Sequence, residues 1–168
     1  VYCMISMVLT RMVAAFGAGA VATQRVGGQI ESVSWNTADG FAAALNAFIG
    51  QNFGAGKMER VRKGYRAAFS TIVWGLGMTL LFVLFPMQIS GLFFHEAEVL
   101  PVAARYMVIV GLSEAFMCVE MMAVGAISGL GRTKVCSVIS VCLTALRIPL
   151  ALVLSRTGLG LEGIWWAL

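Results

Sequence analysis

Residues 67–94 read AAFSTIVWGLGMTLLFVLFPMQISGLFF, and this stretch contains no Asp, Glu, Lys or Arg. It is longer than the roughly 20 apolar residues that an α-helix needs to cross the hydrocarbon core of a bilayer. A second apolar run covers residues 135–155 and is interrupted only by Arg147. Only 12% of the 168 residues are charged, and the mean hydropathy is +0.88. The sequence therefore predicts an all-α polytopic membrane protein.

The apolar segments predict four full or nearly full membrane spans and two partial ones. In chain order they cover residues 1–15, 21–53, 67–94, 106–130, 135–155 and a last segment from about Gly163. Gly125 and Gly129 form a GxxxG pair, which predicts close packing against another helix. The chain begins at Val and ends inside the apolar sequence GIWWAL. We therefore expect residues 1–168 to form a single incomplete transmembrane helical bundle from a longer protein.

The basic residues predict how the spans are oriented. Residues 54–66 carry five Lys or Arg side chains against one Glu, and residues 131–134 carry two more. Because Lys and Arg are enriched on the cytoplasmic side of membrane proteins, both segments are predicted to be cytoplasmic loops of a plasma-membrane protein. Residues 95–105 and 156–162 are then outside. The net charge of +4 is explained by this topology, and no nucleic-acid partner is predicted.

Cofactor, metal and enzyme chemistry have little support in the sequence. The four cysteines lie in apolar helical sequence, the chain has one His, and no CxxC pattern occurs. We predict no cofactor, metal site or disulfide framework, and we expect the cysteines to be buried as small apolar side chains. An intramembrane enzyme would need a nucleophile and a base, or metal ligands. No His lies in the spans, so no catalytic residue is predicted.

Four polar or aromatic side chains share one face of the segment 21–53. Gln24 and Glu31 are seven residues apart, and Trp35 and Asp39 follow in steps of four, all within roughly 100° on a helix. Since a charge at mid-bilayer costs at least about 2.5–3.5 kcal/mol, this face is predicted to point at a protein interior or a water-filled cavity. Two alternatives stay open: Glu31 in solvent at the rim of an outer vestibule, and Asp39 capping a local helix break.

Two glutamates and an arginine lie in the later spans. Glu114 and Glu120 are about 120° apart around a helix, so the two side chains cannot face the same cavity. Glu114 and Arg147 lie at matching depth, and we predict a structural ion pair between them. Glu120 is predicted to face the lumen as an ion-coupling or substrate-binding acid. The alternative is a protonated Glu120 bonded to a neighbouring hydroxyl.

Several stretches together carry a family resemblance. They are AVATQRVGGQIESVSWNTADGFAAALNAFIGQNFGAGK at 20–57, KGYR at 63–66, EMMAVGAISGLGRTK at 120–134 and LRIPLALVLS at 146–155. In order and spacing they resemble the carboxy-terminal half of the multidrug and toxic compound extrusion (MATE) transporters, across essentially the whole chain. The resemblance implies a twelve-helix transporter of two six-helix lobes. This chain would run from the end of helix 7 to the start of helix 12, with the amino-terminal lobe missing.

The resemblance also implies an activity. MATE transporters expel cationic or amphiphilic organic compounds against an inward flow of H⁺ or Na⁺, so small organic cations or drugs, the bilayer and the missing lobe are the implied partners. Glu120 falls in the family's acid-bearing segment of helix 10, and Glu31 falls in a QIES stretch of helix 8. Residues 1–15 contain no match for the acid of helix 7, and the helix 10 Asp of some sodium-coupled members falls at Met117. The coupling ion therefore stays open.

Two other functions compete with multidrug antiport. A flippase for lipid-linked polysaccharides with the same superfold would need a more cationic lumen to match phosphate, whereas the lumenal charges inferred above are mostly acidic. A passive channel or a structural helical bundle has the same sequence pattern as an antiporter. Efflux that depends on an ion gradient would separate an antiporter from that last class.

Overall fold

The computed structural model describes residues 2–94, 96, 98–157 and 159–167, with only the backbone at Tyr2 and Cys3. His95, predicted to lie outside the membrane, falls outside the described residues. The described part contains eight α-helices and short turns between them. The helices are α1 (Tyr2–Ala14), α2 (Ala18–Gly54), α3 (Met58–Ala68), α4 (Thr71–Leu84), α5 (Pro86–Gly91), α6 (Leu100–Gly129), α7 (Thr133–Arg156) and α8 (Leu161–Trp166).

Helices α2 and α6 both end before basic segments, at glycines in the left-handed backbone region. Gly56 follows α2 with φ +71°, and Gly131 follows α6 with φ +78°. After α2, the backbone N–H of Lys57 donates a 2.8 Å hydrogen bond to the carbonyl of Asn52. Such a bond satisfies a carbonyl that has no partner at the end of a helix, and the left-handed residue that allows it is usually glycine.

The segment 54–66 was predicted to be a loop, and this prediction is wrong for residues 58–66, which form most of α3. Helix α3 is amphipathic, because its charged side chains are exposed while Val61 is buried. Val61 belongs to one apolar cluster whose other buried members are Ala42, Leu45, Ile49, Met122 and Ala126. Val61 thus packs one face of this basic helix against the cluster, as expected for an amphipathic helix.

Residues 67–94 were predicted to be one span, but two breaks interrupt this stretch. A turn at Phe69 and Ser70 separates α3 from α4, and the Ser70 hydroxyl donates a 2.7 Å hydrogen bond to the carbonyl of Ala67. At the other end α4 stops at Leu84 and α5 begins at Pro86. Proline lacks the N–H group that a continuing helix requires, but it fits the first helical position.

Three helical segments in the described part of the chain are long and apolar enough to cross a membrane. They are Met58–Leu84, which combines α3 and α4 over 27 residues, Leu100–Gly129 and Thr133–Arg156. Helix α6 begins earlier than predicted, so residues 100–105 are helical and not part of a loop. Helix α2 has 37 residues, enough length to span, but its sequence is too polar to join this set. The predicted spans 67–94, 106–130 and 135–155 correspond to these three segments, and α2 corresponds to the predicted span 21–53.

The contacts divide the chain into two compact units. The first unit comprises residues 1–31, 80–112 and 139–168. Within it, the rings of Tyr106 and Trp165 pack edge to face with centroids 5.2 Å apart. Arg105 Nη1 lies 2.8 Å from Glu162 Oε1 in an ion pair. Arg105 and Glu162 were both predicted to lie on the outer side, and the ion pair agrees with their placement on one side.

The second unit comprises residues 32–79 and 113–138. Here α6 packs closely on α2 through the glycines of the GxxxG pair. A Cβ added at Gly125 would lie 2.6 Å from the carbonyl oxygen of Ala42, and one at Gly129 would lie 2.7 Å from that of Asn46. The predicted close packing at Gly125 and Gly129 is thus confirmed, and it occurs because backbone can approach backbone where both side chains are absent.

Candidate functional site

Helix α2 has a buried face next to the predicted polar stripe. In the second unit the buried residues follow a helical spacing of three or four: Ser34, Ala38, Ala42, Leu45, Ile49 and Asn52. The four stripe residues lie beside this face and differ in burial. Gln24 and Glu31, in the first unit, are partly buried, whereas Trp35 and Asp39, in the second unit, are exposed. Trp35 and Asp39 are therefore accessible on the surface of the second unit.

Glu114 on α6 is a deeply buried acid, with 1% of its surface exposed. The hydroxyl of Ser34 on α2 donates a 2.6 Å hydrogen bond to Glu114 Oε2, and Ser34 is itself fully buried. The other carboxyl oxygen, Oε1, is buried and has no hydrogen-bond partner in the described part of the chain. Since most buried polar atoms are hydrogen-bonded, the Ser34–Glu114 bond is an important polar contact between α2 and α6.

Helix α4 packs beside Glu114 because glycine occupies position 75. A Cβ at Gly75 would lie 2.9 Å from the sulfur of Cys118 and 3.1 Å from the Cα of Ala115. Ala115 is adjacent to Glu114 in sequence, and Cys118 follows one helical turn later. The small residue on α4 thus allows a close approach to the part of α6 that carries the buried acid.

The ion pair predicted between Glu114 and Arg147 remains a prediction. The partner that the structure shows for Glu114 is Ser34. Arg147 belongs to the other unit and its side chain is exposed. On α7, Thr144 lies one turn before Arg147 and is buried, and its hydroxyl donates a 2.6 Å hydrogen bond to the carbonyl of Ser140 on the preceding turn.

Glu120 lies on α6 away from the face that buries Glu114. Its side chain is exposed, and so is Phe116 one turn earlier, with 78% of its surface accessible. The two acids therefore differ in environment as their helical phase predicts. An exposed carboxylate within a membrane-spanning helix needs a polar environment in the complete protein, because contact with lipid is costly.

The described residues contain no group of three His, Cys, Asp or Glu side chains arranged to hold a metal ion. Cys118 and Cys136 are buried as predicted, whereas Cys142 is exposed, so the prediction is wrong for that residue. The Cys136 sulfur lies 3.7 Å from the Ser128 hydroxyl and acts as a small, weakly polar side chain.

Sequence reasoning overlooked Ser34 as a partner of Glu114. A signal was available, because Ser34 lies four residues before Ala38 and eight before Ala42 on a face of small side chains. Small residues at this spacing are typical of helix interfaces in membranes, where hydroxyl groups bond across helices. The prediction considered the neighbouring stripe, which carries the charged residues, and expected that stripe to point at a protein interior or a water-filled cavity.

A family model described as MatE matches residues 1–153. The chain belongs to the MatE family. This membership confirms the resemblance inferred from the sequence, and the all-helical membrane fold is confirmed with it. The matched residues include Glu31, Asp39, Glu114 and Glu120, whereas Glu162 lies outside them.

Relatives of this MatE chain occur in bacteria and in humans. It is 27% identical over 152 residues to the "probable multidrug resistance protein NorM" of Thermotoga maritima, covering 89% of this chain and 33% of the relative. The protein of the same description in Pseudomonas aeruginosa is 31% identical over 172 residues, with 96% and 35% covered. Human "multidrug and toxin extrusion protein 1" is 25% identical over 130 residues, with 75% and 23% covered.

Solved structures of MATE transporters have the same fold. The bent form of the Vibrio cholerae MATE transporter VcmN superposes with a TM-score of 0.83 at 25% identity, covering 98% of this chain and 38% of that one. An outward-facing multidrug resistance MATE transporter gives a TM-score of 0.90 at 16% identity, which supports the fold alone, with 98% and 37% covered. The chain spans about a third of the length of the two bacterial relatives named above.

Proposed function

We propose that this chain is part of a secondary antiporter that extrudes cationic or amphiphilic organic compounds in exchange for H⁺ or Na⁺. The observation that carries the proposal is membership of the MatE family together with the multidrug names of bacterial and human relatives. Because the chain spans only about a third of its bacterial relatives, we propose that it acts together with an amino-terminal lobe. Its substrates would be small organic cations or drugs, and no cofactor is proposed.

The residues proposed for ion coupling or substrate binding fall in both units. In the second unit they are Glu120, Asp39 and Trp35, all of them exposed, and in the first unit they are Glu31 and Gln24, both partly buried. Carboxylates in membrane-spanning helices are costly and therefore mark functional sites. The exposure of Glu120 and Asp39 supports the proposal, because an acid that exchanges ions must be reachable.

Exchange follows from the chemistry of a carboxylate. An ionised carboxylate can bind an organic cation or Na⁺, and it can take up a proton, but the protonated form no longer attracts a cation. Trp35, with an exposed ring near Asp39 in sequence, could add a cation–π contact of about 0.5–2 kcal/mol to a bound organic cation. Competition at the acid couples the two flows, and rocking of one lobe against the other would alternate access to each side of the membrane.

We place the transporter in the plasma membrane with the basic segments 54–66 and 131–134 on the cytoplasmic side. The support is the excess of Lys and Arg in both segments, which is typical of cytoplasmic ends of spans. Antiport against an inward flow of H⁺ or Na⁺ would export the drug from the cell.

The test is ethidium or norfloxacin efflux by the full-length transporter that contains this chain, in cells that lack their own pumps. Glu120→Gln and Glu31→Gln should each reduce efflux at least about tenfold, since loss of a positioned charge-assisted contact costs roughly 1.5–3 kcal/mol. Glu98→Gln is the matched control, because Glu98 is an exposed acid outside the spans. Its efflux should equal that of the wild type.

Measurements with and without Na⁺, and with an uncoupler, identify the coupling ion. If both glutamine variants pump at the wild-type rate, the assignment of these acids fails. If wild-type efflux is unaffected by either ion gradient, the antiporter proposal fails and a passive channel or structural bundle replaces it.

A further inference from the structure

Helix α3 combines a cluster of positive charge with a neighbouring apolar surface. The basic segment 54–66 carries five cationic side chains, all of them exposed: Lys57, Arg60, Arg62, Lys63 and Arg66. Within the described residues, no carboxylate forms an ion pair with these five side chains, and the one acid of this helix is Glu59. The second unit thus carries concentrated positive charge without neutralising partners of its own.

A shallow apolar groove lies next to this segment in the same unit. It is lined by Tyr65, Ala68, Phe69, Ile72, Val119 and Met122. Tyr65 and Phe69 form one wall, with their rings edge to face and centroids 5.4 Å apart. Val119 and Met122 contribute the α6 side, so the groove has walls from two separate parts of the sequence.

The depth of these features follows from the length of the span. The segment Met58–Leu84 has 27 residues, or about 40 Å of helix at 1.5 Å per residue, whereas the hydrocarbon core is about 30 Å thick. This length is enough for the segment to span while its charged first turns reach the level of the lipid headgroups. The groove begins at Tyr65, beside Arg66, and Ile72 at its other end lies six residues further along the segment.

We propose that α3 and the groove form a binding site for an anionic phospholipid. The phosphate lies against Arg62 and Arg66, each three residues before Tyr65 or Phe69 on the helix, and an acyl chain lies over the exposed apolar side chains that border the groove. Charge complementarity selects this occupant, because juxtamembrane clusters of four or more basic residues attract anionic lipids. A zwitterionic lipid brings no net charge to the cluster, and a soluble anion does not use the apolar groove.

The experiment measures lipid retained by the purified full-length transporter after equilibration with equal amounts of phosphatidylglycerol and phosphatidylcholine, using native mass spectrometry. The wild type should retain phosphatidylglycerol in excess. Arg62→Gln/Arg66→Gln should lower the ratio of the two retained lipids roughly tenfold, since each basic residue near an anionic surface contributes severalfold to binding. Arg25→Gln/Arg156→Gln loses the same charge from exposed positions in the first unit, and its ratio should match the wild type.

A second variant tests the groove without changing charge. Val119→Trp places a large ring in the groove and should reduce retention of long-chain phosphatidylglycerol at least about threefold, because buried methylene contacts are lost. Phosphatidylglycerol with six-carbon chains should be unaffected.

The site is refuted if both variants keep the wild-type ratio, or if the control variant lowers the ratio as much as Arg62→Gln/Arg66→Gln. Lipid retention does not depend on efflux, so this result stands apart from that of the transport assay.

Discussion

At the scale of single residues, the buried carboxyl group of Glu114 accepts a hydrogen bond from the hydroxyl of Ser34. Ser34 donates to Oε2, while Oε1 is buried without a partner among the described residues. A buried acceptor that loses its hydrogen bond retains the full cost of its removal from water. Loss of the Ser34–Glu114 contact should therefore lower the free energy of unfolding by more than the net contribution of a typical hydrogen bond.

Ser34→Ala should lower the free energy of unfolding of the full-length transporter by roughly 1–3 kcal/mol, because it leaves the Glu114 carboxyl without a donor. Thermal or denaturant unfolding in detergent measures this change. Ser137→Ala is the control, since Ser137 is an exposed serine on α7. In a Glu114→Leu background the acceptor is absent, so Ser34→Ala should then cost little. Equal losses in both backgrounds would contradict the proposed contact.

The sequence predicted where acids lie on α6 but not what they contact. Helical phase alone separates Glu114 from Glu120, and the structure places the first inside and the second outside. The partner of Glu114 depends on how α2 and α6 cross, which a single sequence does not contain. The ion pair with Arg147 was inferred from matching depth in the membrane alone, and it stays a prediction.

At the scale of helices, the packing of α2 on α6 depends on glycine. A Cβ at Gly125 would meet the carbonyl oxygen of Ala42 at 2.6 Å and its Cα at 3.2 Å. These are backbone atoms inside a helix, so they cannot rotate away as a flexible side chain could. A larger residue at position 125 must push the two helices apart.

Gly125→Ala should therefore destabilise the transporter by roughly 1–3 kcal/mol, the usual cost of overpacking. Gly40→Ala makes the same chemical change on α2, where a Cβ would meet nothing within 4 Å. That variant should be neutral or more stable by up to about 1 kcal/mol, because alanine favours helix over glycine. Unfolding measurements that rank the two variants in the opposite order would exclude this account of the interface.

The helix boundaries were predictable where local chemistry decides them. Helix α7 was expected over 135–155 and occupies Thr133–Arg156, because a glycine turn and charged residues bracket an apolar run. The break between α4 and α5 at Pro86 was not predicted, because the hydropathy is uniformly high across residues 67–94. Helix α3 was not predicted, because a segment rich in charged residues is typical of a loop. The burial of Val61 depends on tertiary contacts, which the sequence of the segment does not contain.

At the scale of the whole molecule, Lys57 and Glu98 are two positions from which the orientation of the transporter in the membrane can be measured. Lys57 precedes the span Met58–Leu84, and Glu98 follows it after α5. Both side chains are exposed. If Met58–Leu84 crosses the membrane with its basic end inside, these two residues lie on opposite sides of the bilayer.

Cysteine labelling of the full-length transporter in intact cells checks this orientation. With every native cysteine replaced by alanine, Glu98→Cys should react with a membrane-impermeant maleimide, whereas Lys57→Cys should react only after the cells are permeabilised. The cysteine-free parent is the control for background. The reverse pattern would show that the basic segment faces outward, and the anionic lipid would then belong to the outer leaflet. Labelling of both residues in intact cells would mean that Met58–Leu84 does not span, which its length and hydropathy argue against.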